Sequence, residues 1–136
     1  MIKYIKHQDI DKDKWNECVW NSPNGLAYVF TWYLDIVAQE WDALVEDNYI
    51  SVFPLPIKKK FGISYIYQPF WVQQLGLFSK TLITPEKSLQ FLKHIPSHIR
   101  FIDYNLNNIQ KLPENHSFRT ISNNNYQLDL IYQYEH

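Results

Sequence analysis

Two prolines, Pro54 and Pro56, stand two residues apart in the run YISVFPLPI, residues 49–57, whose apolar and β-branched content otherwise reads as a strand. Proline has no N–H to give to a ladder. Successive residues of a strand face alternate sides, so both missing donors lie on the same side. Along that side the strand has to be an edge, or bulged.

The flanks fit a meander. Trp41 to Glu46 reads as the preceding strand, and Asp47-Asn48 is a turn signal. Tyr49 to Ile57 is the return strand. KKKFG makes the next turn, and Ile63 to Gln68 follows as a third strand until Pro69 ends it. Upstream, Ile2 to Lys6 can be a first strand. Asp9 or Asp11 offers an N-cap to a helix over about Lys12 to Trp20, where Trp15, Cys18 and Val19 follow helical spacing. NSPNG, residues 21–25, stops it. Thr31 can cap a second helix with Tyr33, Ile36 and Val37 on its apolar side and Asp35 and Gln39 opposite. The clearest helix start is Thr84 as N-cap, Pro85 at the first helical position and Glu86 in the first turn. Leu89, Phe91 and Leu92 build its apolar side, and Pro96 ends it. Ile99 to Tyr104, Phe118 to Ser122 and Tyr126 to Leu130 read as later strands, with NLNNIQKLPENH between the first two as loop or a short helical turn. The order is β-α-α-β-β-β-α-β-β, with a final strand at the very end. It predicts an α+β (mixed α/β) architecture, a largely antiparallel central sheet with helices on both faces.

At 136 residues the chain suffices for one core. Aromatics at 17% are high, so rings carry much of the packing and suit interfaces. A net charge of −1 gives no electrostatic capture of nucleic acid. Lys58-Lys59-Lys60 reads as a solvated turn. The single cysteine, Cys18, falls on a helix's apolar face and is read as a buried thiol in a reducing compartment. The first fourteen residues have no signal-peptide pattern, and no window approaches a membrane span. The expectation is cytoplasmic.

The element order is similar to that of the GNAT acyltransferases. WYLDIVAQEWDALVEDNY, VFPLPIKKKFGISYIYQP and QQLGLFSK also resemble, in order, a bacterial group of GNAT-like proteins related to the Fem peptidyltransferases. Fem-like proteins carry two GNAT-like units in tandem. The resemblance implies a GNAT-like domain over 1–122. It reads NNNYQLDLIYQYEH, residues 123–136, as the link and first strand of a second unit, or as the last strand of this domain. The chain would then be the N-terminal unit of an acyl- or aminoacyl-transferase that forms an amide on an amine acceptor, inactive alone. The alternative is a non-catalytic binding or dimerisation module on the same scaffold. The implied partner is a second GNAT-like unit or a second copy, and the implied donors for the full-length family are acyl-coenzyme A or aminoacyl-tRNA.

In GNAT enzymes the turn after the fourth strand presents backbone N–H groups to the pyrophosphate of acyl-coenzyme A. Gln73, Gln74, Leu75 and Gly76 supply the first half of that pattern here. Phe78 stands where the family has Gly or Ala, and Thr84 caps the next helix several residues late. These departures mark a degenerate loop in which Phe78 would crowd a phosphate, and no cofactor is expected to bind this chain. Tyr65, Tyr67, Phe70 and Trp71 are a candidate groove, or alternatively core or a covered surface.

Other chemistry is sparse in the sequence. Histidines at 7, 94, 98, 116 and 136 have no ligand spacing, and Pro96 interrupts His94 and His98. No Gly-x-Ser-x-Gly, P-loop or Cys–His arrangement is present. Asp42, Glu46 and Asp47 form a small acidic group. Glu46 and Tyr67 have the chemistry of a proton acceptor and donor, but strand-end charge and core ring describe them better, and no catalytic residue is assigned.

Overall fold

The structure, a computed structural model, describes residues 1–126. Six strands form one open mixed sheet: β1 (Ile2–Ile5), β2 (Trp41–Glu46), β3 (Ser51–Lys60), β4 (Ile63–Ile66), β5 (Phe78–Ser79) and β6 (Ile99–Ile102). Three helices accompany it: α1 (Lys12–Trp20), α2 (Thr31–Val37) and α3 (Pro85–Lys93). The path across the sheet is β1-β2-β3-β4-β6, with β5 paired to β3 off that path. Among the described residues β4 and β6 are the one parallel strand pair, joined by a crossover through α3.

Strand alternation divides the core in two. Ala43, Val45, Val52 and Phe78 point to one face and pack with Trp15, Cys18 and Val19 of α1 and Leu34 of α2. Leu44, Phe53, Leu55 and Ile66 point to the other and pack with Phe91 and Leu92 of α3. Helices thus cover both faces, as the element order predicts.

The proline constraint is met by a gap. β5 pairs with β3 only at Ser51 and Val52, and β4 only from Ile57 to Lys60. Between them, residues 53–56 have no strand partner on that side, and both prolines lie there. Their carbonyls are still satisfied. The Pro54 carbonyl accepts the Tyr104 hydroxyl at 2.6 Å, and the Pro56 carbonyl accepts the Tyr67 amide at 3.2 Å. With no N–H to orphan, the unpaired segment is buried without an unmet donor.

Local signals fix several element starts. Asp11 caps α1 by accepting the Lys14 amide at 3.1 Å. Thr84 caps α3 by accepting the Lys87 amide at 3.1 Å, with Pro85 first in the helix. Four expectations need correction: the cap and the inward face of α2, the turn at Lys58–Lys60 and the strand over 118–122. Phe30, not Thr31, precedes α2, and Thr31 is its first residue, clamped by Asn16 through two 3.0 Å hydrogen bonds. That clamp turns Thr31 and Leu34 inward and leaves Ile36 exposed. Lys58–Lys60 belong to β3, and the turn is confined to Phe61-Gly62. Residues 118–122 form no strand, because Phe118 instead packs onto the α3-side core as irregular chain. Of the strand expected over 126–130, Tyr126 is irregular, and 127–130 lie outside the described residues.

Candidate functional site

The segment from Gln68 to Ser79 begins with a pinned turn. The Val72 amide donates to the Pro69 carbonyl at 3.3 Å, and the Gln68 side-chain amide donates to the Val72 carbonyl at 2.8 Å. Tyr33 donates its hydroxyl to the Trp71 carbonyl at 2.8 Å. Inside this turn Trp71 has φ 67, a position that ordinarily goes to Gly or Asn. For a residue with a Cβ the left-handed region costs about 1–2 kcal/mol. The strain displays rings: Phe70 and Trp71 are 81% and 78% exposed, edge to face at 5.9 Å.

Beyond the turn the chain goes inward. Val72, Gln74, Leu75, Gly76, Leu77 and Phe78 are all buried, and Gln73 alone of the phosphate-loop residues stays exposed. The amides of the loop have internal acceptors. Leu75 donates to the Asn105 carbonyl at 2.8 Å, Gly76 to the Tyr104 hydroxyl at 3.2 Å, and Leu77 to the Gln110 side-chain oxygen at 2.7 Å. The Leu75 and Leu77 carbonyls accept the Asn107 side chain at 3.1 and 3.0 Å, and Asn24 adds a 2.8 Å bond to Leu77. Gly76 has φ 104, and a Cβ built there would meet the Gln110 oxygen at 2.1 Å. An anion at these amides would have to displace three acceptors from a close-packed site. The Phe78 ring lies in the α1-side core, with its backbone paired to Val52.

Tyr104 ties this loop to the gap in the sheet. Its ring stacks on Phe53 with centroids 5.5 Å apart and planes at 17°, and Phe53 stacks in turn on Phe91. Part of the residue is exposed, but the hydroxyl end is enclosed, and burial pushes the phenol well above its ordinary pKa, against the smaller opposing pull of the Gly76 amide. Sequence reasoning missed Tyr104, Asn107 and Gln110. The one visible signal for Asn107 and Gln110 was the density of amides in NLNNIQ, which reads equally well as a loop.

Of the candidate groove residues, the structure brings Phe70 and Trp71 together at the turn. Tyr65 and Tyr67 are half-buried on the strand side, Tyr65 beside Phe101 of β6 and Tyr67 under Lys58, whose ammonium lies 4.1 Å from the ring centre. Burial, and to a lesser degree Tyr65, raises the Tyr67 pKa.

A cleft of about 300 Å³ is lined in part by Tyr4, Lys6, Asp42, Lys59, Ser64 and His98. Its carboxylate is fully engaged. Asp42 accepts the Tyr4 hydroxyl, the Lys6 ammonium at 3.1 Å and the His7 amide at 2.9 Å. Burial and then the hydrogen bond to Asp42 raise the Tyr4 pKa, and the hydrogen bonds that Lys6 donates to Tyr4 and Asp42 raise that of Lys6, so neither is a base near neutrality.

The remaining candidates are engaged structurally. Burial alone would raise the Glu46 pKa, but Lys87 at 2.7 Å and the Ser51 hydroxyl at 2.6 Å outweigh it and hold the carboxyl below its ordinary value. Asp47 pairs with the N-terminal amine. Cys18 is buried, and that burial pushes its thiol pKa up. His94 bonds the Gln90 carbonyl at 2.8 Å. Among the described residues no three His, Cys, Asp or Glu side chains are grouped to hold a metal, and no helix is long and apolar enough to cross a membrane.

No family model, curated protein or solved structure matches the chain.

Proposed function

We propose that the chain is a binding module on a GNAT-like scaffold, the N-terminal unit of a Fem-like tandem protein whose acyl or aminoacyl transfer to an amine is carried out elsewhere. The observation behind this reading is the use of the Leu75, Gly76 and Leu77 amides by Asn105, Tyr104 and Gln110. A unit that spends those donors internally keeps the framework and gives up the diphosphate cradle. The carboxylates support the same reading, because Asp42 and Glu46 are both held by lysines and hydroxyls and neither is poised to take a proton from an amine. What the unit retains is a rigid frame that presents aromatic rings.

Calorimetric titration of the purified chain with acetyl-coenzyme A tests the proposal. The expected result is no binding heat in the micromolar range. Micromolar binding that is lost in Gly76→Val would overturn it and restore coenzyme chemistry to the loop.

A further inference from the structure

The strained turn at Trp71 is part of a larger surface. Trp32 meets Tyr33 edge to face at 5.5 Å, Tyr28 meets Tyr33 edge to face at 5.6 Å, and the Tyr33 hydroxyl donates to the Trp71 carbonyl. Phe70 completes the row, and Ile36 follows Trp32 by one turn of α2. Ile36, Trp32, Phe70 and Trp71 are 74%, 58%, 81% and 78% exposed. Side chains of this size offer roughly 150–250 Å² each, so these four alone display about 600 Å² of apolar surface. That reaches the upper end of what a lone soluble domain ordinarily leaves open. With Tyr28 and Tyr33 it approaches the roughly 800 Å² per partner of a standard interface.

The segments that build this surface carry no charge. No Asp, Glu, Lys, Arg or His occurs from Cys18 to Leu34, or from Phe61 to Ser79. Asp35, next along the chain, is already paired with Lys12 at 2.7 Å and the Trp41 indole at 3.0 Å. A surface shaped for an acidic or basic partner would carry the opposite sign, and one for an anionic membrane would carry lysines. In a two-fold interface a patch meets itself, so any net charge repels its own copy, and neutrality removes that repulsion. Depletion of charge with enrichment in Trp, Tyr and Phe is the composition of an interface centre. The turn supplies preorganisation, since Phe70 and Trp71 are already fixed in the projecting geometry.

We infer that this aromatic face is where two copies of the chain associate as a symmetric dimer. The inference rests on the binding-module reading and names its partner. Trp71 is the anchor: its backbone strain is not offset by burial within one copy.

Sedimentation equilibrium on the 136-residue chain over a concentration series tests this, with Trp71→Gly and Trp32→Ser as variants. Wild type is expected to show a reversible monomer–dimer equilibrium. Each variant should raise the dissociation constant at least tenfold. Glycine adopts φ 67 without strain, so Trp71→Gly should lose association while its thermal midpoint stays the same or rises. That pairing separates loss of an interface from loss of fold. If Trp71→Gly does not fold, Trp32→Ser, which stands on α2 away from the turn, decides alone. A chain that stays monomeric up to its solubility limit overturns the inference, as does a dimer that survives both substitutions. A monomer that instead partitions onto lipid vesicles overturns it in favour of a membrane surface. Coenzyme binding is scored separately: it would remove the module reading without touching the dimer, and a monomer indifferent to coenzyme would remove only the dimer.

Discussion

The Tyr104 hydroxyl donates to the Pro54 carbonyl at 2.6 Å and accepts the Gly76 amide at 3.2 Å, which joins the gap in the sheet to the loop beside it. Tyr104→Phe keeps the stacking on Phe53 but leaves an enclosed acceptor and an enclosed donor unmet. The expected loss of stability is about 1–2 kcal/mol, read from urea unfolding midpoints at constant slope. The same group sets an alkaline limit. Its folded pKa lies above the unfolded value of 10.0. The stability it contributes is therefore complete below pH 10.0 and is lost as the pH rises toward the folded pKa. Wild type should lose stability more steeply than Tyr104→Phe in that window. Parallel curves would mean that the phenol does not govern it.

Gly76→Ala places a methyl against the Gln110 oxygen and forces alanine to φ 104. The expected cost is about 2 kcal/mol. Adding Gln110→Ala should recover only part of it, because the Leu77 amide then loses its acceptor. Full recovery in the double variant would show that the 2.7 Å bond contributes nothing.

Glu46 and Lys87 fasten β2 to α3. The Glu46 pKa is lowered in the fold from 4.5, so the stability this pair supplies is complete above pH 4.5 and disappears as the pH falls through the depressed folded value. Lys87→Met should lower stability at pH 7 by about 1–2 kcal/mol. It should also flatten the acid limb between pH 4.5 and the folded pKa, as followed by circular dichroism. An unaltered acid limb would assign that loss to other carboxylates.

Thr84→Ala removes the hydroxyl that accepts the Lys87 amide at 3.1 Å. A loss of about 1 kcal/mol is expected, and Thr84→Ser or Thr84→Asp should restore most of it. If alanine and serine behave alike in thermal melts, the cap is not stabilising α3.

What could be read directly from the chain was local. The start of α3 was visible because a cap, a proline and a first-turn acid act on their own backbone, and β2 was visible from its apolar run. That β3 would be an edge or bulged near its middle was visible because Pro54 and Pro56 remove donors wherever they are placed, but which of the two it would be was not. The face of α2 was not. Seven residues at helical spacing suit either Ile36 inward or Leu34 inward, and the choice was made by Asn16, fifteen positions before Thr31. β5 was also hidden, since two residues become a strand only when Ser51 and Val52 stand beside them. The loop residues Gln73 to Gly76 could be located on the chain, but the destination of their amides depended on Tyr104, Asn105 and Gln110, some thirty residues on.

The open side of β3 also bears on how the protein is synthesised. While the chain is still leaving the ribosome, β1, β2 and β3 can assemble long before Tyr104 and Gln110 emerge to close the site. A bare strand flank in a growing polypeptide invites docking by another nascent chain. Two prolines on that flank offer no N–H to an intruder, so the residues that force the gap also guard it until its own plug arrives.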